Sequence, residues 1–336
     1  MCERLSVITG AAGHIGYTLL KELVSRGERV RVLIRKDNDV FNGIDCEKAY
    51  GDVTDYATLE AAFAGADVVY HLAGIVDVGN NNKELVWNIN VEGTKNAVAA
   101  CKKCGVRRFV YASSVDALKP LSGNKLMTEP KNFHTEELEG VYAKSKAVAS
   151  QFVLDSKTES FEPVIILPSA CIGPYDYKVS AAGAMVRLCM KGIMRVSLGF
   201  GAYNFVDVRD VAAGMIGAAE KGRAGECYFL TGEVLTADEI IRLLSELCGY
   251  KAPGIRTPYW LASLAAPAAA FYSRVSGSTP LLTPLALRIL RYNCNFSCAK
   301  AERELNYSFM PVRQSFSDMI DWIEENEGGA RRRKKA

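Results

Sequence analysis

Short apolar segments alternate with longer segments of helical periodicity through the first half of the chain. In the first helical segment, residues 14–26, Ile15, Leu19 and Leu23 recur one turn apart, so one face can pack on a sheet while the other stays polar. Strands are predicted at residues 5–9, 30–34, 68–72, 109–113 and 164–167, and a second helix at residues 90–101. Strands that alternate with helices predict an α/β fold with a parallel sheet.

The pattern loosens after Pro168 into loops and separate helices. A short strand is predicted at residues 204–208 and a helix at residues 236–248, which opens with the capping-box spacing Thr236-Ala237-Asp238-Glu239. We expect one domain at residues 1–168, to which a later strand and helix around residues 204–230 return, and a smaller, mostly helical lobe at residues 169–327. Residues 328–336 are expected to be a disordered basic tail. No low-complexity linker separates the halves, which favours a cleft between them.

Composition and charge exclude several classes of function. The chain has 336 residues, of which 49% are hydrophobic and 24% charged, as in ordinary globular proteins. The formal charge of +3 is concentrated in the tail at residues 331–335, so no broad basic face for nucleic acid is expected. The N-terminal residues lack the order of a secretory signal, which favours a cytoplasmic location.

The cysteines and histidines do not form a metal-ligand pattern. Of ten cysteines, only Cys101 and Cys104 make a C-x-x-C pair, and no second pair accompanies them. The three histidines, His14, His71 and His134, are far apart in the sequence. No metal is therefore expected.

A glycine-rich turn follows the first predicted strand directly and opens the first helix. Its sequence reads Thr9-Gly10-Ala11-Ala12-Gly13-His14-Ile15-Gly16. Glycine permits a tight turn and close approach of the backbone, and a helix N-terminus directs free N–H groups at an anion. In this context the turn predicts a site for the pyrophosphate of a dinucleotide.

Tyr142 and Lys146 are four residues apart in a segment that is predicted to be helical, so both lie on one face. A nearby positive charge favours the phenolate form of a tyrosine and makes its proton easier to exchange. Ser114 directly follows the strand predicted at residues 109–113, and ligands of open α/β sheets bind at the carboxyl ends of strands. Its hydroxyl is placed to donate to a carbonyl oxygen, and Ser113 is the alternative.

With the G-x-x-G-x-x-G turn and with Ser114, Tyr142 and Lys146 in this order, the chain resembles the extended short-chain dehydrogenase/reductase family, the NAD-dependent epimerase/dehydratase superfamily. Further matching motifs are Gly51-Asp52-Val53, His71-Leu72-Ala73-Gly74, Asn90-Val91-Glu92-Gly93-Thr94, Tyr111-Ala112-Ser113-Ser114, Leu167-Pro168-Ser169 and Asn204-Phe205-Val206-Asp207-Val208-Arg209-Asp210. The resemblance covers nearly the whole chain. It implies a Rossmann-type doubly wound sheet that binds NADP or NAD.

The resemblance assigns cofactor contacts residue by residue. The glycines of the turn contact the pyrophosphate, and Asp52 and Val53 contact the adenine. Ala73 and Gly74 lie beside the nearer ribose. In chain order, the expected cofactor-binding residues are Gly10, Gly13, His14, Ile15, Gly16, Arg35, Lys36, Asp52, Val53, Leu72, Ala73, Gly74, Tyr142, Lys146, Pro168, Ser169, Ala170 and Ile172.

The resemblance also implies a mechanism. Tyr142 gives its proton to the substrate oxygen during reduction and takes it during oxidation, while a hydride passes to or from the nicotinamide. Lys146 lowers the pKa of the phenol and bonds the nicotinamide ribose. Asn90 corresponds to an asparagine that supports a proton relay in related enzymes, which makes it a candidate catalytic residue.

Two cations end the second predicted strand, where a site that chooses NAD usually offers an acid to the ribose 2′-hydroxyl. The guanidinium of Arg35 can form two parallel hydrogen bonds with a 2′-phosphate and can stack on the adenine, and Lys36 follows it in the chain. The sequence therefore favours NADP over NAD. The alternative is that both side chains are solvated charges at the end of a strand.

Two segments indicate the class of substrate. Members that act on nucleotide sugars typically show V-Y-G soon after the catalytic serine, whereas this chain reads Ser114-Val115-Asp116-Ala117-Leu118. Residues 168–174 look more like dihydroflavonol-4-reductase-like and 3β-hydroxysteroid-dehydrogenase-like members than like sugar enzymes, which favour an asparagine near Ser169. We expect an NADP-dependent oxidoreductase that interconverts a hydroxyl and a ketone on a hydrophobic, steroid- or flavonoid-like molecule. A nucleotide-sugar epimerase or dehydratase is the alternative.

The apolar segment at residues 258–267, with Phe271, Tyr272, Leu281 and Leu282, is expected either to wall an apolar pocket or to pack as helical core. It is short for a membrane span, and Pro267 interrupts it. Weak peripheral membrane contact, helped by the basic tail, and a homodimer are left open.

Overall fold

The computed structural model describes residues 4–77, 82–121, 123–194, 196–276 and 283–328, except for the side chains at positions 270 and 272–276. The predicted residues Leu281 and Leu282, the side chain of Tyr272 and the tail at residues 329–336 therefore lie outside the described part of the chain.

A seven-stranded parallel sheet forms the centre of the larger part of the molecule, in the order β10-β6-β5-β4-β1-β2-β3. Its strands are β1 (Leu5–Thr9), β2 (Arg29–Ile34), β3 (Glu47–Tyr50), β4 (Val68–His71), β5 (Arg108–Ala112), β6 (Glu162–Pro168) and β10 (Glu226–Leu230). The chain order reverses between β1 and β4, which is the point where open sheets of this kind bind their ligands. The predicted α/β Rossmann-type doubly wound fold is confirmed.

Helices cover both faces of this sheet, and each face has its own apolar core. On one face lie α2 (Tyr56–Phe63), α3 (Lys83–Trp87), α4 (Gly93–Lys103) and α5 (Val141–Asp155), and a π-helical turn at Asn88–Glu92 joins α3 to α4. On the other face lie α1 (His14–Ser25), α7 (Val208–Lys221) and α11 (Ala299–Leu305). Because both faces are covered, the central strands β1 and β6 are buried along almost their whole length, whereas the edge strand β3 alternates.

The second lobe combines helices with two small sheets. One sheet has the order β11-β9-β7 and the other pairs β12 with β8. These strands are β7 (Ala170–Ile172), β8 (Ser197–Leu198), β9 (Ala202–Asp207), β11 (Glu233–Thr236) and β12 (Arg256–Thr257). The helices of the lobe are α6 (Ala181–Met190), α8 (Ala237–Leu247), α9 (Tyr259–Ser276), α10 (Pro284–Ile289) and α12 (Val312–Glu327).

The last helix completes the core of this lobe. Phe316, Met319 and Ile320 on α12 are fully buried against β9, α6 and α8. The predicted capping box at the start of α8 is confirmed, because Thr236 and Glu239 exchange hydrogen bonds there. Strand β9 belongs to the small sheet, whereas α7 and β10 pack with the large one.

Of the two alternatives for the C-terminal apolar segment, helical core packing holds in part, because Ala262 and Ala266 are buried against Leu287, while the expected interruption at Pro267 is wrong. Helix α9 continues through Pro267, because a proline removes one backbone hydrogen bond and the neighbouring turns hold the helix. Trp260, Leu264 and Phe271 are 63%, 72% and 69% exposed, so these side chains do not wall a pocket. Among the described residues, no helix is both long and apolar enough to cross a membrane.

Candidate active site

The glycine turn brings the ends of β1 and β4 into backbone contact. Gly10 has φ +74°, and a Cβ on it would lie 2.6 Å from the carbonyl carbon of Leu72. A Cβ on Gly16 would overlap the carbonyl oxygen of Gly10, so the first turn of α1 also needs glycine. The turn leaves the N-terminus of α1 at Gly13 without a side-chain cap, which suits an anion at this point.

A buried histidine fixes this arrangement. Thr9 Oγ1 lies 2.8 Å from His71 Nδ1 and accepts from the backbone N–H of Ala73 at 3.2 Å, while His71 Nε2 lies 3.1 Å from Thr94 Oγ1. Burial lowers the pKa of His71 to about 3, so the ring is neutral. His71 therefore ties β1 to β4 and does not act as an acid or base.

Asn90 clamps the segment that follows β4. Its Oδ1 accepts from the N–H of Ile75 at 2.8 Å, and its Nδ2 donates to the Ile75 carbonyl and to Ser145 Oγ, both at 3.0 Å. Gly74, which the clamp holds in place, lies beside Lys146, whose Nζ would be 3.4 Å from a Cβ at that glycine. Asn90 therefore holds the segment after β4 against α5 through hydrogen bonds to Ile75 and Ser145.

Tyr142 and Ser114 come together where β5 ends and α5 begins. The hydroxyl of Ser114 caps the turn Val115–Ala117 by accepting from the backbone N–H of Asp116 at 3.1 Å, and it also forms a side-chain hydrogen bond with Tyr142. Burial raises the pKa of Tyr142, and the nearby carboxylate of Asp116 raises it further, whereas the bond to Ser114 lowers it. In this structure the phenol is therefore held in its protonated form.

Lys146 lies one turn further along α5 and is buried. Its ammonium donates to the carbonyl oxygen of Ala112 at 2.7 Å and lies 4.9 Å from the centre of the Tyr111 ring. Burial lowers the pKa of Lys146 to about 7. Lys146 is not among the groups that shift the pKa of Tyr142 in this structure, and its expected effect on that pKa stays a prediction.

Ser113 and Ser114 point in different directions, as successive residues at the end of a strand do. Ser113 Oγ lies 2.6 Å from Ser150 Oγ inside the protein. The geometry therefore favours Ser114 over its neighbour as the hydroxyl that meets the substrate.

The segment after β6 passes the same edge of the sheet. Pro168 is the last residue of β6, and the buried Ser169 hydroxyl has no hydrogen-bond partner within the described part of the chain. A buried hydroxyl without a partner is uncommon in folded proteins, and it fits a polar group of a ligand at this position. Ala170 is partly exposed, whereas the Ile172 side chain is fully buried in the second-lobe core, which leaves only its backbone for a cofactor.

The adenosine end of the predicted site carries cations. Arg35 and Lys36 follow β2 and are exposed. Lys178, from the loop after β7, is also exposed, and its pKa is lowered by desolvation and by the charge of Arg35. Asp52 and Val53 lie at the end of the neighbouring β3, where the Asp52 carboxylate accepts from the N–H and hydroxyl of a threonine two residues on.

His14 and Ile15 have structural contacts. His14 Nε2 lies 2.8 Å from the carbonyl oxygen of Pro174, so the ring joins α1 to the loop after β7, and burial lowers its pKa. Ile15 packs on the core between α1 and the sheet. A cofactor would meet these two residues through the backbone of the helix start.

A cavity of about 240 Å³ is lined by residues of both lobes, among them Val115 and Ala143, the chain neighbours of Ser114 and Tyr142. Most of its wall is apolar, and Asp116 and Tyr203 are the polar groups nearest to the phenol of Tyr142. Its apolar lining residues are Val115, Leu118, Pro120, Met127, Leu138, Ala143, Ile289, Tyr292, Cys294 and Phe296.

Sequence reasoning missed three polar residues of this region: Asp116, Tyr203 and Lys178. Tyr203 Oη donates to Asp116 Oδ1 at 3.3 Å across the boundary between the lobes. Asp116 reaches the site through its place two residues after Ser114, whereas Tyr203 and Lys178 come from the second lobe. The departure from V-Y-G at residues 115–117 was the one local signal for Asp116.

Comparisons with known proteins agree on one family. The model of the 3-beta hydroxysteroid dehydrogenase/isomerase family matches residues 7–255. Sterol demethylase protein B of Methylococcus capsulatus is 31% identical over 95% of this chain and 98% of that protein. A 3-beta-hydroxysteroid dehydrogenase of Mycolicibacterium neoaurum is also 31% identical, over 90% of this chain and 86% of its own length. The crystal structure of gox2253 superposes with a TM-score of 0.83, at 31% identity over 96% of this chain and 98% of that one.

Proposed function

Because the chain belongs to the 3-beta hydroxysteroid dehydrogenase/isomerase family, a group of oxidoreductases within the extended short-chain dehydrogenases and reductases, we propose that it interconverts a hydroxyl and a ketone on a steroid-like substrate. The observation that carries the proposal is the meeting of Tyr142 and Ser114 on the sheet edge that holds the glycine turn, where their chain neighbours Ala143 and Val115 line an apolar cavity.

The proton chemistry belongs to Tyr142. In the reductive direction its phenol gives a proton to the ketone oxygen, and in the oxidative direction its phenolate takes the proton of the alcohol. The Ser114 hydroxyl, hydrogen-bonded to the phenol, is placed to hold the same substrate oxygen. Lys146 is the buried cation of the site, one turn from Tyr142 on α5.

A nicotinamide dinucleotide fits the residues that are present. The close backbone turn at Gly10 and the uncapped N-terminus of α1 can bind a pyrophosphate. At the other end of the site, the buried Ser169 hydroxyl can form a hydrogen bond with a polar group of the cofactor. When bound, the nicotinamide supplies or accepts the hydride. The members of this family use NAD(P), and the cofactor-binding residues assigned from the resemblance are those that line this edge of the sheet.

We assign NADP as the preferred form of the cofactor. Arg35 and Lys36 stand where an acid would hold the 2′-hydroxyl of NAD, and Lys178 adds a third cation whose charge acts on Arg35. Three cations favour a 2′-phosphate, and an arginine can bind it through two parallel hydrogen bonds.

The apolar wall of the cavity supports a hydrophobic ring system as substrate. A nucleotide sugar would bring a diphosphate into the substrate cavity, whose charged lining, among the residues that the structure describes, consists of the acids Asp116, Glu137 and Glu139 and the cation Lys119. Lys119 itself pairs with Glu137. The cavity is therefore poorly suited to a second diphosphate.

The test follows the absorbance of NADPH with a panel of 3-ketosteroids, flavonoids and small ketones beside UDP- and dTDP-sugars. NADP⁺ with 3β-hydroxysteroids tests the opposite direction. Turnover of steroids that is lost in Tyr142→Phe, with nucleotide binding retained in fluorescence titrations, is the expected result. Turnover of the sugars alone would replace the proposal by an epimerase or dehydratase function.

A further inference from the structure

Two buried hydroxyls lie on neighbouring chains at the point where β6 and β10 end. The two strands are parallel, with Pro168 opposite Leu230, and the N–H of Ser169 donates to the carbonyl oxygen of Leu230 at 3.4 Å. Ser169 and Thr231, the residues that follow these strands, are 7% and 1% exposed. Within the described part of the chain, neither Ser169 Oγ nor Thr231 Oγ1 has a hydrogen-bond partner.

The alternation of side chains directs both hydroxyls to the face of the sheet that carries α5. Leu167 and Phe229, two residues earlier on the two strands, belong to the apolar core on that face. Successive side chains of a strand point to opposite faces, so Ser169 and Thr231 follow them on the same face. This is the side of the sheet on which α5 carries Tyr142.

Other hydroxyls at the ends of the parallel strands do have partners. At the end of β1, Thr9 Oγ1 lies 2.8 Å from His71 Nδ1, and after β5, Ser113 Oγ lies 2.6 Å from Ser150 Oγ. The remaining unpartnered buried polar atoms of the described residues are spread over β4, α6 and α12. A buried hydroxyl without a hydrogen bond costs free energy, so two of them at one strand junction indicate a polar group of a ligand.

The backbone around the two hydroxyls is held by other contacts. The carbonyl oxygen of Thr231 accepts a hydrogen bond from Tyr307 Oη at 3.0 Å. Asn204 holds the next residue, Gly232, by donating to its carbonyl oxygen at 3.0 Å and accepting from its N–H at 2.9 Å. Asn204 also lines the cavity between the lobes. The hydroxyls therefore lie in a fixed frame close to the cavity wall.

A neutral polar group suits this place better than an ion does. Each hydroxyl can donate one hydrogen bond and accept others, so the pair matches a carboxamide, a ketone or a hydroxyl group. Neither residue carries a charge, and burial penalises an ion that lacks a charged partner. The nicotinamide of the cofactor carries a carboxamide, and a steroid-like substrate carries ketone and hydroxyl groups.

We propose that Ser169 and Thr231 form one subsite for a neutral hydrogen-bonding group, which is the carboxamide of the nicotinamide or a ketone or hydroxyl group of the substrate. Thr231 is thus a ligand-binding residue that the family resemblance does not assign. The inference rests on the proposed function, which supplies both ligands.

The test removes each hydroxyl, by Thr231→Val and by Ser169→Ala. Isothermal titration measures the Kd of NADPH and of 2′-phospho-ADP-ribose, which lacks the nicotinamide. If the subsite binds the carboxamide, the Kd of NADPH should rise about three- to tenfold, as for the loss of one neutral hydrogen bond, while that of 2′-phospho-ADP-ribose stays the same. If the subsite binds the substrate, both Kd values stay the same and the KM of a 3-ketosteroid rises by that factor. Unchanged values for the nucleotides and for the ketosteroid would overturn the proposal.

Thermal unfolding of the nucleotide-free protein separates a binding role from a structural one. Thr231→Val and Ser169→Ala break no hydrogen bond within the described part of the chain, so the melting temperature should stay the same or rise. Ser156→Ala is the matched control, because the buried Ser156 hydroxyl donates to the carbonyl oxygen of Val153 at 2.7 Å. It should lower the melting temperature and leave ligand binding unchanged.

Two outcomes would show that the hydroxyls are structural and overturn the proposal. One is equal weakening of NADPH and 2′-phospho-ADP-ribose, and the other is a melting temperature lowered as in Ser156→Ala. The titrations need no turnover, so they separate this inference from the proposed function. If no steroid proves to be a substrate, an unchanged Kd of NADPH alone would overturn the subsite, and a raised one would support it.

Discussion

The ammonium of Lys146 donates a hydrogen bond of 2.7 Å to the carbonyl oxygen of Ala112, the last residue of β5. The contact anchors α5 to the edge of the sheet at the point where Ser114 follows. A buried ammonium with a neutral partner is an unusual choice for stability, because burial penalises its charged form.

This relationship predicts a pH dependence of stability in the protein without nucleotide. The pKa of Lys146 is lowered to about 7 in the folded state, while in the unfolded chain it lies near its ordinary value. The destabilisation is therefore complete below about pH 7 and fades as the pH rises toward about 10. Lys146→Met should raise the melting temperature more at pH 6 than at pH 9. A difference that grows with pH would contradict the buried, pKa-lowered state.

Gly10→Ala tests the close approach of the glycine turn to β4. An alanine there would combine a positive φ with a contact of 2.6 Å to the Leu72 backbone, so we expect a loss of about 1–3 kcal/mol in the free energy of unfolding and loss of nucleotide binding. Gly27→Ala is the matched control, because Gly27 also has positive φ but has open space around it. It should lose stability by a smaller amount and keep nucleotide binding.

Arg35→Asp tests the choice of cofactor. Loss of the guanidinium and gain of an acid should raise the Kd of NADPH at least tenfold and change the Kd of NADH little. The binding free energies of the two nucleotides should therefore shift relative to each other by about 1.4 kcal/mol or more. Isothermal titration of both nucleotides measures this. Arg29→Asp, on the same strand but paired with Glu47, serves as the control. Equal weakening of both nucleotides by Arg35→Asp would refute the NADP assignment.

The position of the substrate cavity can be tested by filling it. Ala143 lines the cavity next to Tyr142, so Ala143→Leu should raise KM for a steroid several-fold without preventing nucleotide binding. Leu264→Ser changes an exposed residue of α9 and should leave KM unchanged. An effect of Leu264→Ser as large as that of Ala143→Leu would mean that α9 meets the substrate.

The parts of the site that the sequence could predict are local. The glycine turn occupies seven consecutive residues between a strand and a helix, and Tyr142 and Lys146 share one helix face, so spacing alone places them. Strand ends of a parallel sheet meet at one edge, which brings Ser114 to the same place. The family and the α/β fold were predicted for these reasons and are confirmed, while the roles of the individual residues stay predictions.

The parts that the sequence could not predict depend on how the lobes dock. Tyr203 is 87 residues from Asp116, and no periodicity links a strand of one lobe with a turn of the other. The apolar segment at residues 258–267 is a second example. Helical spacing identifies the apolar face of a helix, but it does not identify the part of the protein against which that face packs. The residues that line the cavity from this region are instead Ile289, Tyr292 and Cys294.

Helix α12 has a consequence for the order in which the molecule is made. The core of the second lobe needs Phe316 and Ile320, while β10 has already added the last strand to the large sheet by residue 230. On the ribosome, all seven strands of the large sheet can therefore pair before α11 covers part of one face, while the apolar sides of α6 and α8 remain uncovered until the final helix emerges. A nascent chain stalled before residue 312 would present that surface to chaperones or to other chains.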